Sequence, residues 1–121
     1  MANTIYKRKL SGSTDWTWIK VVQTATAWTT IHTAVAWTTA WTFDEIWLWA
    51  YNGHTTWVTL TIEFWWATVP DQNIVVDIPA KAWLFPVVAW LILQNTLVVK
   101  AFAWTGNVIT LSWFVNTMTD A

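Results

Sequence analysis

From Val58 to Phe64 the chain reads VTLTIEF, and its apolar side chains recur at every second residue. Val58, Leu60, Ile62 and Phe64 share one face; Thr59, Thr61 and Glu63 share the other. A period of two belongs to a half-buried β-strand, because successive side chains of an extended backbone point to opposite sides. NIVVDI repeats the pattern, with Ile74, Val76 and Ile78 opposite Asp77. NVITLSWFV sets Ile109, Leu111, Trp113 and Val115 against Thr110 and Ser112. FDEIWLWAY and TLVVKAFA are apolar on both faces, as expected of central strands or strands at an interface. WIKVVQTAT and TTIHTAV are rich in Thr and Val and read as further strands. No segment sustains a helical period.

Turn chemistry separates these runs. Asn52-Gly53 is a hairpin signal, Pro70-Asp71 supplies a second turn, and Gly106 in WTGN a third. The reading is an all-β, single-domain β-sandwich, jelly-roll-like, with eight or nine short, mostly antiparallel strands. Residues 1–15 form an N-terminal arm or first edge strand, and residues 16–121 the sandwich. Val58, Leu60, Ile62 and Phe64 are expected to face inward, opposed by Ile74, Val76 and Ile78 or by Ile109 and Leu111.

A chain of 121 residues is one domain, long enough to bury roughly two-thirds of its unfolded surface. The net charge is −1 and 11% of residues are charged, far from the basic field of a nucleic-acid binder. There is no cysteine, so neither disulfides nor thiolate metal sites are available. No apolar stretch follows the basic cluster Lys7-Arg8-Lys9 as a secretory signal requires. The most apolar run, residues 82–93, is shorter than the roughly 20 residues of a membrane span and is interrupted by Pro86. The expectation is a soluble protein with no membrane partner.

The chain has 14 Trp and only 3 Gly, where average usage of about 7% predicts about eight glycines. Most of the tryptophans sit among Ala, Thr, Ser and Asp at turns and strand ends: STDWTW, VAWTTAWT, EFWWATVPDQ, IPAKAW. Reading glycine in their place gives ordinary turns, because glycine supplies positive φ and close backbone approach. Many of these positions are therefore expected to be glycine in the native protein. A genetic code in which UGA means glycine would produce this text, and so would a deliberate exchange. Trp47 reads as a genuine tryptophan; Trp49 is open. Taken literally, exposed indoles could stack on sugar rings, but a binding platform would gather them on one face, and in sequence they are scattered. The strand tryptophans, Trp113 included, read otherwise as core or subunit contacts.

With glycine restored, the chain resembles small β-sandwich structural proteins of tailed bacteriophages over most of its length. The resemblance rests on IYKRKLSGS, TIHTAV, FDEIWLWAYNGH, VTLTIEF with the Trp65-Trp66 pair, PDQNIVVDIPAK, LVVKAFA and SWFVN. The family has Gly-Gly at the pair and Gly-Phe-Val-Asn near the end, so Trp65, Trp66 and Trp113 depart from it. The resemblance implies a virion component assembled in the host cytoplasm, a head decoration or cement protein above all, with a collar, tail or baseplate role as the alternative. Its partners would be the major capsid protein or other virion proteins and further copies of itself, three copies around a threefold axis being the first choice. Lys7, Arg8 and Lys9 are the candidate shell contacts. The doubly apolar strands nominate Trp47, Trp49 and Phe102 for an oligomer interface.

No catalytic pattern appears. His32 lies in a Thr-rich strand and His54 follows the Asn-Gly turn, both read as surface or hydrogen-bonded residues. Asp44 and Glu45 are adjacent in a strand and point apart, which is poor geometry for a metal or a carboxylate pair. Ser11, Ser13 and Ser112 have no base nearby in sequence, and there is no nucleophile elbow or phosphate loop. Neither enzyme activity nor a cofactor is expected. The functional classes are a structural virion protein and a sugar-binding module built on exposed Trp.

Overall fold

The computed structural model describes residues 3–22, 24, 29–36, 42–64 and 73–120. Among these residues nine strands form: β1 (Asn3–Lys9), β2 (Ile19–Val21), β3 (Thr29–Thr33), β4 (Phe43–Asn52), β5 (Val58–Phe64), β6 (Asn73–Ile78), β7 (Phe85–Leu93), β8 (Val98–Ala103) and β9 (Ile109–Asp120). One sheet has the order β1-β9-β4-β7, with β2 also paired to β9, and the other β3-β8-β5-β6. Every pairing is antiparallel. From β2 onward the chain crosses between sheets at each connection except β5–β6, the jelly-roll winding.

The alternating strands assemble as their pattern requires. Val58, Leu60, Ile62 and Phe64 are buried. Ile74, Val76 and Ile78 do not oppose them: β6 is the neighbour of β5, and Ile62 pairs with Ile74, Leu60 with Val76. The facing layer is Ile46, Leu48 and Ala50 of β4 with Ile109, Leu111 and Val115 of β9, all buried. Each large aliphatic removed from water in this layer contributes about 1.5–3 kcal/mol. Pro86 is tolerated because β7 is an edge strand, where a missing N–H breaks no ladder.

Asn52-Gly53 does not form a hairpin. β4 and β5 lie in different sheets, and residues 53–57 turn the corner between them. Asn52 faces inward; its Nδ2 donates to the carbonyls of Thr56 and Ile78, and its Oδ1 accepts from His54 N–H. The side chain that signals a tight turn in sequence here holds an inter-sheet corner. Pro70-Asp71 lies outside the described residues, as do Trp28, Trp37, Trp41, Trp65 and Trp66.

Residues Asn3–Lys9 pair along β9 over seven positions. The loop from Leu10 to Trp18 then interrupts this edge before β2 rejoins β9. Gly12 holds the loop against β3: its N–H donates to Ile31 O, and a Cβ there would lie 2.7 Å from Thr30 O.

Candidate functional site

Strand parity sorts the residues of β4 into two sets. Asp44, Ile46, Leu48, Ala50 and Asn52 are buried; Phe43, Glu45, Trp47, Trp49 and Tyr51 are half-buried on the outer face. Phe114 of β9 pairs with Trp47 and stacks on it, ring centres 5.9 Å apart. Trp90 meets the edge of Trp47 at 5.4 Å, and Trp113 lies 5.7 Å from Trp49 and 5.5 Å from Phe114. Five rings thus form one connected aromatic strip across β7, β4 and β9. Trp47 Nε1–H donates to Glu45 Oε1, which also accepts from Asn116 Nδ2. The expectation of scattered indoles fails on this face, because the fold gathers residues far apart in sequence. Trp57 and Trp104 make a separate pair, 5.8 Å apart, at inter-sheet connections.

Trp113 departs from its sequence reading. It pairs with Leu48, and by strand parity belongs inside with Leu111 and Val115, yet it is 44% exposed. Its φ is 116°, and the indole turns out toward Trp49.

The basic cluster is split by the pleat. Lys7 stands on the outer face, its Nζ 4.4 Å from the Phe114 ring centre, a cation–π contact. Lys9 Nζ donates to Ser13 O. Arg8 points to the other side, where its charge acts on Asp44. Trp47 and Trp49 share a face with Lys7. Phe102 does not: it lies on the outer side of the opposite sheet, paired with Thr61. Beside the strip is an open cleft of about 320 Å³ lined by Lys7, Trp16, Trp18, Ser112, Trp113 and Phe114. Ser112 Oγ is buried and has no hydrogen-bond partner.

A second polar cluster is sealed inside the sandwich. Ser11 N–H donates to His32 Nδ1 at 3.0 Å, which leaves the ring proton on Nε2 to donate to Asp44 Oδ2 at 2.6 Å. Asp44 Oδ1 accepts from Thr117 Oγ1 at 2.6 Å. Burial pushes the Asp44 carboxyl up; the hydrogen bonds from His32 and Thr117, with the pull of His32 and Arg8, outweigh it and hold the carboxyl below the ordinary aspartate value. Ser11 Oγ accepts from Thr33 N–H and does not touch the imidazole, so no activated nucleophile is formed. Sequence spacing missed this cluster; the parity of Asp44 with Ile46 and Leu48 is the signal that points to it. Among the described residues no group of three or more His, Cys, Asp or Glu is placed to hold a metal, and no helix is long and apolar enough to cross a membrane.

Glu63 also corrects a sequence reading. The alternation puts it on the polar face of a half-buried strand, yet it is buried with Thr59 and Thr61, and neither carboxylate oxygen has a hydrogen-bond partner. β5 is a central strand, flanked on this side by Lys100 and Phe102 of β8. Burial raises the Glu63 pKa and the Lys100 charge opposes the shift.

The chain matches no protein-family model, no curated protein sequence and no solved structure.

Proposed function

We propose that this chain is a structural virion component, a decoration or cement protein that binds the outer head shell of a tailed phage as an oligomer. The observation that carries the reading is the aromatic strip of Trp47, Trp49 and Phe114 on the outside of a sandwich whose core is already filled. A two-layer sandwich uses one face of each sheet for its core. An apolar outer face of this kind needs a cover, and identical copies around a symmetry axis provide one. Three copies are the first choice, on the resemblance to phage head proteins. Lys7, beside the strip, and Lys9 and Arg8 along the same edge strand, offer positive charge to an acidic patch of the major capsid protein. A collar, tail or baseplate position uses the same features. Sedimentation of the purified protein, followed by co-sedimentation with undecorated head shells, tests the reading. An oligomer that pellets with shells supports it; a monomer at high concentration that stays in solution contradicts it.

The cleft beside Lys7 favours a second reading, a carbohydrate-binding module. Indoles flank an ammonium and an unpartnered buried hydroxyl there. Glycan binding that vanishes on Trp18→Ala would favour it over the virion role.

A further inference from the structure

The three glycines of this chain all have negative φ, and four of its nine described tryptophans do not: Trp16 at 68°, Trp83 at 65°, Trp90 at 46° and Trp113 at 116°. For a residue with a Cβ, positive φ brings side chain and backbone into collision, and only a few per cent of non-glycine residues adopt it. Asp and Asn are several-fold enriched there, which accounts for Asp15, Asn95 and Asn107 in this fold. Tryptophan has no such excuse. Lys81 and Thr96 are the other positive-φ residues among those described.

Three of the four positions have local geometry with a known glycine preference. Thr17 N–H donates to Thr14 O at 2.9 Å, closing a turn whose central residues, Asp15 and Trp16, both have positive φ. That is the condition of a type I′ turn, where Asp-Gly is a preferred pair. At Trp90 the β4–β7 ladder slips: Ile46 pairs with Leu91 and Leu48 with Val88, so Ala89 and Trp90 together oppose Trp47. A two-against-one bulge with a residue in the left-handed region is the form that takes glycine. Trp113 sits mid-strand where the pleat points into the core against fully buried Leu48. Its indole reaches solvent at a φ of 116°, a backbone conformation that residues with a Cβ rarely adopt and glycine adopts freely. Trp83 follows Lys81 in the PAKAW corner and is 76% exposed, so burial gives nothing back for its strained φ. Trp47 is the contrast: ordinary φ, outward parity, a hydrogen-bonded N–H and two ring partners.

We infer that Trp16, Trp83, Trp90 and Trp113 are glycine positions of this fold, and that one codon behind them, UGA, is read by a glycine-charged tRNA where the protein is made. A single reassigned codon explains why the excess of Trp and the shortage of Gly coincide, and why the strain falls on some tryptophans and spares Trp47, which UGG would encode. The inference is independent of the proposed function and changes the surface on which that function rests. Without indoles at 16 and 113 the cleft beside Lys7 loses two walls, which removes much of the basis for sugar binding. The strip keeps Trp47, Trp49 and Phe114 and becomes flatter, a better fit to another copy.

The gene tests the decoding directly. UGA is expected at codons 16, 83, 90 and 113 and UGG at 47; UGG at any of the four overturns the reassignment. Peptide mass spectrometry of the protein from its own source should find glycine at the four positions, and an indole at any of them overturns it equally. The conformational claim has its own test in synthetic chains. The combined Trp16→Gly, Trp83→Gly, Trp90→Gly, Trp113→Gly chain should melt higher than its all-Ala counterpart and than the parent, or fold where they do not. Trp47→Gly should lower the midpoint. An all-Ala chain as stable as the all-Gly chain overturns the assignment, because alanine removes the indole and leaves the Cβ.

Discussion

His32 Nε2–H donates to Asp44 Oδ2 at 2.6 Å, with both side chains 0% exposed, and the bond joins β3 of one sheet to β4 of the other. Its two ends are fixed by further donors, Ser11 N–H on Nδ1 and Thr117 Oγ1–H on Asp44 Oδ1. Asp44→Asn keeps a partner for each group, its Oδ1 accepting from Nε2–H and its Nδ2 donating to the Thr117 hydroxyl, and removes only the charge. Asp44→Ala removes both acceptors and leaves Nε2–H and the Thr117 hydroxyl buried without them. The alanine variant should lose about 1–3 kcal/mol for each buried donor left unpaired, read as a lower urea midpoint. An unchanged midpoint would show that the pair is not under this constraint.

The same carboxylate sets an acid dependence. Its folded pKa lies below the ordinary 3.8, so it contributes stability above that value and loses it as pH falls through the folded pKa. Urea unfolding of the parent from pH 7 down to about pH 2 should show this loss. The Asp44→Asn curve should lack that component.

Glu63 has the opposite sign. Its pKa is raised above the ordinary 4.5, so the folded state favours the protonated form, and stability falls as pH rises through the raised value. Glu63→Gln should therefore raise the melting midpoint at pH 7, with the gain shrinking below about pH 4. A lower midpoint at pH 7 would mean that the charge is stabilised by Lys100 more than burial disfavours it.

Core packing follows from one register. Leu60 and Ile62 are fully buried between the two sheets, and either one truncated to Ala should cost about 2–5 kcal/mol. A loss under 1 kcal/mol, about the size expected at an exposed site, would show the register to be wrong.

The period of two placed Val58, Leu60, Ile62 and Phe64 correctly because every second residue of a strand must face the same way. It also separated Asp44 from Glu45. It did not place Asn52-Gly53, because a pair of turn residues carries no information on whether the strands it joins share a sheet. Nor did it place Glu63: alternation says which side a residue faces, and the burial of the outer side of β5 depends on neighbours distant in sequence. The aromatic strip was hidden for the same reason, since Trp90, Trp47 and Phe114 come from three strands. Trp113 misled the pattern outright: its parity is inward and its indole points out.

The basic residues can be separated from the strand that carries them. β1 pairs with β9 over seven positions, so deleting it strips the ladder and exposes a sheet edge. Exchanging Lys7, Arg8 and Lys9 for Ser is the cleaner experiment, since all three are exposed. The triple variant should keep its fold and lose shell binding, with the parent's binding falling steeply as salt is raised. Full binding by the variant would remove these residues from the contact.

Self-association should depend on the strip. Trp49→Lys places a charge on the outer face of β4 and should shift sedimentation toward the monomer, whereas Phe102→Lys, on the opposite sheet, should not. The reverse pattern would assign the subunit contact to the β3-β8-β5-β6 sheet.

The most direct test of the proposed role is a reconstruction of the virion that carries this protein. Jelly-roll density is expected on the outer surface of the head shell, at its threefold positions, with the β1-β9-β4-β7 sheet turned toward neighbouring copies. Density for the chain at the collar, tail or baseplate, or no copy in the particle at all, would contradict it.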